Sequence, residues 1–330
     1  MRARPLLVVV LLATLAATGA AHAGSSLPPI DRYFSAAELR LSHPGQSDRV
    51  YHGVEHSLDV RRFAHELARG RGLSEGKARF LSEVGLLHDW DPRRKPGTPA
   101  RVGATLAALD ADFAGREPLV PGTHGSILRA RFGWSARDLE VAKALIQRTT
   151  FPFDDAAAGV YEDRLRALDP ADQRFVLQEG ALLSEYADKA STYTMRSVER
   201  VRRATRGLAS EINRQAGRRV MTAARLDPAS FLESIGARAN FAADHAIGRR
   251  LGLRVRFPTR DRVFARLPAS HRIHFEATLR ASRAGVRPPR RATASSRPVA
   301  VRAGELRGRA RGRAPARRLV TTSGARSRRP

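Results

Sequence analysis

Tyr51-His52-Gly53-Val54-Glu55-His56-Ser57-Leu58-Asp59-Val60 is the stretch on which the reading of this chain turns. Val54, Leu58 and Phe63 fall on one apolar side at helical spacing, which predicts a helix over 52–69. In such a helix positions 52, 56 and 59 are four and then three apart and share a face. Two imidazoles and a carboxylate then look the same way, toward the side that has to be buried.

Two further segments repeat the pattern. In Gly85-Leu86-Leu87-His88-Asp89, His88 continues the stripe of Leu81 and Val84 and is carried into the core at a helix C-terminal end. In Leu183-Ser184-Glu185-Tyr186-Ala187-Asp188-Lys189-Ala190-Ser191, Asp188 shares a face with Leu177, Ala181 and Ser184. Any one of these taken alone reads as a hydrogen-bonded core residue. Together they need a common explanation, because buried ionisable groups are costly unless paired or bound to metal. One or two divalent cations would satisfy them at once. Imidazole and carboxylate donors suit Zn, Mn, Fe or Mg.

The rest of the body is read as helices with little strand-like alternation, so the fold class is all-α. Ser74 opens a helix running through Phe80, Leu81, Val84 and Leu87 to His88, and Pro92, Pro96, Gly97 and Pro99 force a loop after it. Ser135 with Asp138 forms a capping pair for 136–148. Asp169-Pro170 is an N-cap and first-position signal for a long helix to about Thr192. A further amphipathic helix turns Val198, Thr205, Leu208 and Ile212 inward and many arginines outward. Cysteine is absent, which excludes thiol catalysis, Cys-ligated zinc and disulfides.

The two ends stand apart from this body. Arg2 and Arg4, the apolar run Leu6 to Ala17 and the small-x-small site Ala21-His22-Ala23 follow the plan of a secretory signal cleaved after Ala23. The apolar run is short for a membrane span, and no second run of spanning length occurs. The mature chain is therefore expected to be periplasmic or secreted rather than an integral membrane protein. Residues 281–330 hold fifteen arginines against the single Glu305, about half of the chain's net +27. Their Arg, Ala, Pro, Ser and Gly composition predicts a disordered tail. Such a tail can meet nucleic acid or an anionic surface without sequence preference. Residues 24–280 remain for one large domain.

The three motifs together resemble the HD-domain metal-dependent phosphohydrolases, and Tyr-His-x-x-x-His-x-x-Asp-Val is similar to the signature helix of their cyclic-nucleotide phosphodiesterase branch. The resemblance spans about Tyr51 to Tyr193. It implies a helical bundle around one or two divalent metal ions, with His56, His88, Asp89 and Asp188 as ligands of the tighter one and Asp89 bridging to a second. It implies His52 as the general acid toward the leaving oxygen, Asp59 as a group orienting a ligand histidine, and a small phosphoester, a nucleotide or cyclic nucleotide, as substrate. The chain departs from that branch after the His-Asp pair. A second histidine is missing there, and Asp91 is the available substitute. Gln215, Asn240 and Phe241 are positional candidates for gripping a base, and Arg93, Arg94 and Lys95 for meeting phosphates or forming a solvated loop. His124 is a candidate neighbour of the site. His65 is expected on the exposed side of its helix, and His245, His271 and His274 as structural or surface residues. Thr149 and Thr150 end a helix and receive no role. The contrasting expectation is a non-catalytic metal-containing protein, a sensor or a basic binding protein.

Overall fold

The computed structural model describes residues 27–41, 51–95, 97–191, 198–221 and 228–285. Among these residues every regular element is helical and no strand occurs. The proposed signal segment and the arginine-rich tail lie outside the described residues. No helix among the described residues is long and apolar enough to cross a membrane.

The helices are α1 (Ala36–Leu41), α2 (Val54–Gly70), α3 (Glu75–Leu87), α4 (Val102–Phe113), α5 (Ala136–Gln147), α6 (Asp155–Arg166) and α7 (Pro170–Leu182). There follow α8 (Val198–Ala216), α9 (Pro228–Ser234), α10 (Ala242–Arg250), α11 (Arg260–Phe264) and α12 (Ala269–Gly285). Caps set several of their starts. The Ser74 hydroxyl accepts from the Lys77 amide, Ser135 and Asp138 form a reciprocal capping box, and Asp169 accepts from Asp172 just before Pro170. The helix opened by Asp169 does not run on as a regular α-helix. At Leu183–Asp188 it widens into a π-helical turn before resuming over 189–191.

The centre of the packing is the pair α2 and α3, with the π turn laid against α2 and α5 against α7. Gly85 permits the first contact, since a Cβ there would stand 3.3 Å from the Val60 side chain and carbonyl oxygen. The fully buried core includes Val60, Phe63, Val84, Leu87, Trp90, Ala142, Leu145, Leu177 and Ala181. Polar groups inside it are tied off. Trp90 Nε1 donates to the Leu119 carbonyl, and the Asp112 carboxylate accepts from the amides of Leu119, Ile127 and Leu128. Arg148 donates from Nε and Nη2 to Asp244, both at 2.8 Å, and so ties α5 to α10.

Helix α8 shows the inward face expected of it in part: Thr205 is buried, while Leu208 and Ile212 are half-buried. The side chain of Val198 lies outside the described residues. Helix α12 runs to Gly285, five residues past the point where composition alone places the end of the domain.

Candidate functional site

The site gathers where α2, the end of α3 and the π turn after α7 meet. His56 projects from the first turn of α2 and is 3 % exposed; His88 caps the C-terminus of α3 and is 2 % exposed. The π turn brings Asp188 to them, with Ser184 and Ala187 buried beside it. One donor atom from each of His56, His88 and Asp188 lies within 4.8 Å of the other two, so the three form a group able to hold a metal ion. Asp89 stands beside this group and, like Asp188, is half-buried.

The donor separations test that fit. His56 Nε2 is 3.2 Å and His88 Nε2 3.7 Å from Asp188 Oδ1. Asp89 Oδ2 is 3.4 Å from His88 Nε2 and 3.8 Å from His56 Nε2. Ligands about 2.1 Å from one ion stand roughly 3.4 Å apart in a tetrahedron and roughly 3.0 Å apart as neighbours in an octahedron. The separations agree with a shared cation. His88 Nε2 and Asp89 Oδ2 are buried and have no hydrogen-bond partner among the described residues. The other ring nitrogen of His88, Nδ1, is held 2.7 Å from the Gly85 carbonyl, which fixes the tautomer that leaves Nε2 as a ligand. The helix C-terminus itself favours positive charge at this point.

Electrostatics agree with the geometry. Burial opposes the charge on Asp89, but the histidines at 88, 52 and 56 and then Arg94 outweigh it and hold the carboxyl well below the usual range. Asp188 behaves likewise: burial raises its pKa, and the hydrogen bond to His56 with the charge of His88 brings it below the ordinary value. Both are held as carboxylates, the form a metal requires.

His52 occupies a different position from the one helical spacing predicts. It precedes α2 instead of starting it, because Gly53 is the N-cap with extended backbone. The reason lies 159 residues away. The buried Glu211 carboxylate of α8 accepts from the amides of Tyr51 (2.5 Å) and His52 (3.2 Å) and takes His52 Nδ1 at 2.6 Å. His52 remains beside the cluster, its ring centroid 5.5 Å from that of His56. Burial disfavours the imidazolium, but Asp89, the hydrogen-bonded Glu211 and Asp188 more than compensate, and the pKa is pushed up to about 9.

Helix α8 is pinned along this edge at two further points. Arg200 bonds Glu55, and the Arg214 guanidinium lies where a Cβ on Gly97 would fall, at 1.8 Å. Glu211 was not legible from the sequence. Its only signal is a carboxylate on an otherwise apolar inward face of α8.

Other expectations are corrected by the packing. Asp91 does not face the donors: it accepts from the Arg93 amide and from the Arg101 amide and Nε, and so builds the loop. His65 is buried, with Nε2 3.1 Å from Glu75, because neighbours surround α2 on nearly every side. Of the three basic residues after the pair, Arg93 and Lys95 are exposed, and Arg94 is buried with Nη1 donating to the His52 carbonyl at 2.8 Å. Gln215 is exposed; the Asn240 amide is engaged by Glu185 and the Ser234 carbonyl; Phe241 stacks on Phe257 in the core. None of the three is placed to grip a base. His124 is exposed, as is His274, while His271 is buried against Phe63 and Glu66. Asp59 is buried on α2, and Thr149 and Thr150 bond back to the last carbonyls of α5.

No protein-family model matches the chain, and neither the curated proteins nor the solved structures contain a significant match to it.

Proposed function

We propose that this chain is a metal-dependent phosphohydrolase of the HD type, which hydrolyses a phosphoester with His52 as general acid and takes a nucleotide or cyclic-nucleotide phosphodiester as its substrate. The observation that carries the reading is the meeting of His56, His88 and Asp188 at metal-ligand separations with a carboxylate-bound histidine next to them. Asp89 completes the donor set as a fourth ligand. A bound divalent cation would neutralise phosphoryl charge and make water acidic enough to attack at neutral pH.

The protein's own groups supply the rest. Glu211 holds Nδ1 of His52 and so leaves Nε2 as the atom that exchanges a proton with substrate. Departure of an alkoxide needs that proton, and the same ring can then be recharged from water. Helix α8 is thus part of the catalytic unit even though it lies past the three motifs.

The test is turnover. The purified protein is offered cyclic and linear nucleotides and a nitrophenyl phosphodiester with Mn, Mg, Fe or Zn. Metal-dependent hydrolysis of at least one phosphodiester is expected. Background rates in every combination, from a protein that carries metal, would leave a non-catalytic metal protein in its place.

A further inference from the structure

We propose that Arg94 is a positioning residue for His52: it ties the backbone of the general acid to the loop that follows the His88-Asp89 pair, and so sets where the acid stands relative to the metal ligands. The inference rests on the phosphohydrolase reading above, in which His52 protonates the leaving oxygen.

His52 sits in a sharp bend. The Gly53 amide donates to the Tyr51 carbonyl at 2.9 Å, which makes His52 the middle residue of a three-residue γ-turn. Gly53 then caps α2, its carbonyl accepting from the Ser57 amide at 3.1 Å. The His52 carbonyl lies one residue ahead of that cap and outside the helical ladder. Arg94 Nη1 donates to it at 2.8 Å. Glu211 takes the amide and Nδ1 of the same residue. The acid is thus gripped at its amide, its carbonyl and its ring by two side chains from remote segments.

A loop arginine is ordinarily solvated, yet Arg94 is 4 % exposed while Arg93 and Lys95 beside it stay at the surface. Its Nη2 is buried with no hydrogen-bond partner among the described residues. Withdrawing a guanidinium from water with one nitrogen unpaired is costly, and satisfying a single carbonyl does not require it. What the long, planar side chain adds is reach and direction. Its base is fixed as well. The Arg94 amide donates to the Asp91 carbonyl at 3.1 Å, and the Asp91 carboxylate accepts from the Arg93 and Arg101 amides. Trp90 is fully buried and its amide bonds the Leu87 carbonyl, which joins this loop to the end of α3 where His88 is presented. A run of bonded residues therefore leads from His88 and Asp89 through Asp91 and Arg94 to the backbone of His52. A general acid works only within hydrogen-bond reach of the atom it protonates, and a shift of about 1 Å can cost roughly 100-fold in rate.

Two readouts test this, one of them independent of turnover. In the proton NMR spectrum of the purified protein, the Nδ1 proton between His52 and Glu211 is expected at low field, and its absence from His52→Ala assigns it. It should persist in Arg94→Lys and broaden away through exchange with water in Arg94→Met, which keeps the stem but has no donor. Circular dichroism and elemental analysis establish that each variant is folded and holds wild-type metal. If Arg94→Met does not fold, Arg94→Gln, too short to reach the carbonyl, takes its place with the same expectations. A wild type without the signal, or a signal that persists in the folded variant, would overturn the inference. The second readout is hydrolysis of the nucleotide that the wild type turns over fastest and of bis(nitrophenyl) phosphate. Arg94→Met is expected to lose roughly 10- to 100-fold in kcat on the nucleotide with KM little changed, less on the nitrophenyl ester, and to add nothing in a His52→Ala background. Losses that multiply in the double variant would make Arg94 an independent contact to substrate, and equal losses on both substrates would make it structural; either overturns the inference. A wild type that hydrolyses neither compound would remove the phosphohydrolase reading, and the proton signal would still decide whether Arg94 holds His52.

Discussion

Glu211 receives three hydrogen bonds from Tyr51 and His52 while almost fully buried, so what it does for His52 is separable from what the metal ligands do. Glu211→Gln keeps the size and one acceptor but loses the charge. It is expected to keep near wild-type metal content and to lose roughly 10- to 100-fold in rate, the range typical of a group that orients another. His52→Ala is expected to lose roughly 10²- to 10⁴-fold on a nucleotide, also with metal retained. Its defect shrinks on a nitrophenyl ester, whose leaving group departs without a proton. His56→Ala loses metal and rate together. Rates on both substrates, with elemental analysis of the same preparations, separate these outcomes, and loss of metal from His52→Ala would contradict its role. At this scale the sequence was legible where a local period existed. His88 and Asp188 each continue an apolar stripe of their own helix, and His56 shares with Asp59 a face of α2 that is buried, whereas Val54 and Leu58 of the expected apolar side are only half-buried. His52, expected as the first residue of the helix, lies two residues before it, because the carboxylate that holds Tyr51 and His52 outside it comes from a remote segment. Arg94 had no local signal and Glu211 only its place on the inward face of α8, since a Glu on a helix and an Arg in a loop are ordinarily solvated.

The elements that present these residues are set by close approaches as much as by helix propensity. Tyr186 sits in the π turn two residues before Asp188, and its hydroxyl donates to the Pro258 carbonyl. Gly236 has φ 69° and lies so near that a Cβ would stand 2.1 Å from the Tyr186 hydroxyl. Gly236→Ala is therefore expected to cost about 2 kcal/mol or more, from left-handed backbone strain and the clash together. Because Tyr186 and Asp188 share one turn, metal affinity should fall with stability; a denaturation midpoint and a metal titration measure the two. An Ala variant with wild-type values for both would show that the turn is not braced there. Caps and breakers made the helix starts at Glu75, Ala136 and Pro170 readable in advance. The π turn was not, since an extra residue in a turn changes no residue type and shows only when Asp188, Ser184 and Leu177 are seen packed. That such turns collect at functional sites fits the position of Asp188 here.

For the molecule as a whole, composition divides chemistry from charge. Residues 286–330, beyond the end of α12, carry no histidine and the single carboxylate Glu305. Deleting them should leave hydrolysis of a small phosphodiester nearly unchanged and lower salt-sensitive retention on DNA, because arginines dominate nonspecific binding to phosphates. Loss of the folded domain on deletion would show that the segment contributes to the core. The all-α class followed from helical periodicity along the body, and the site followed from three short motifs. The way α8 closes over that site depends on contacts more than a hundred residues apart, which no local pattern encodes. The central claim is that helices far apart in sequence deliver one metal site, and metal content after a single carboxylate is removed tests it most directly. Wild type, Asp89→Ala and Asp188→Ala are purified, shown to be folded, dialysed against the same divalent ion and assayed by elemental analysis. The account predicts bound metal in the wild type and loss of most of it in both variants; full retention in folded Asp89→Ala and Asp188→Ala, or a wild type that holds none, would contradict it.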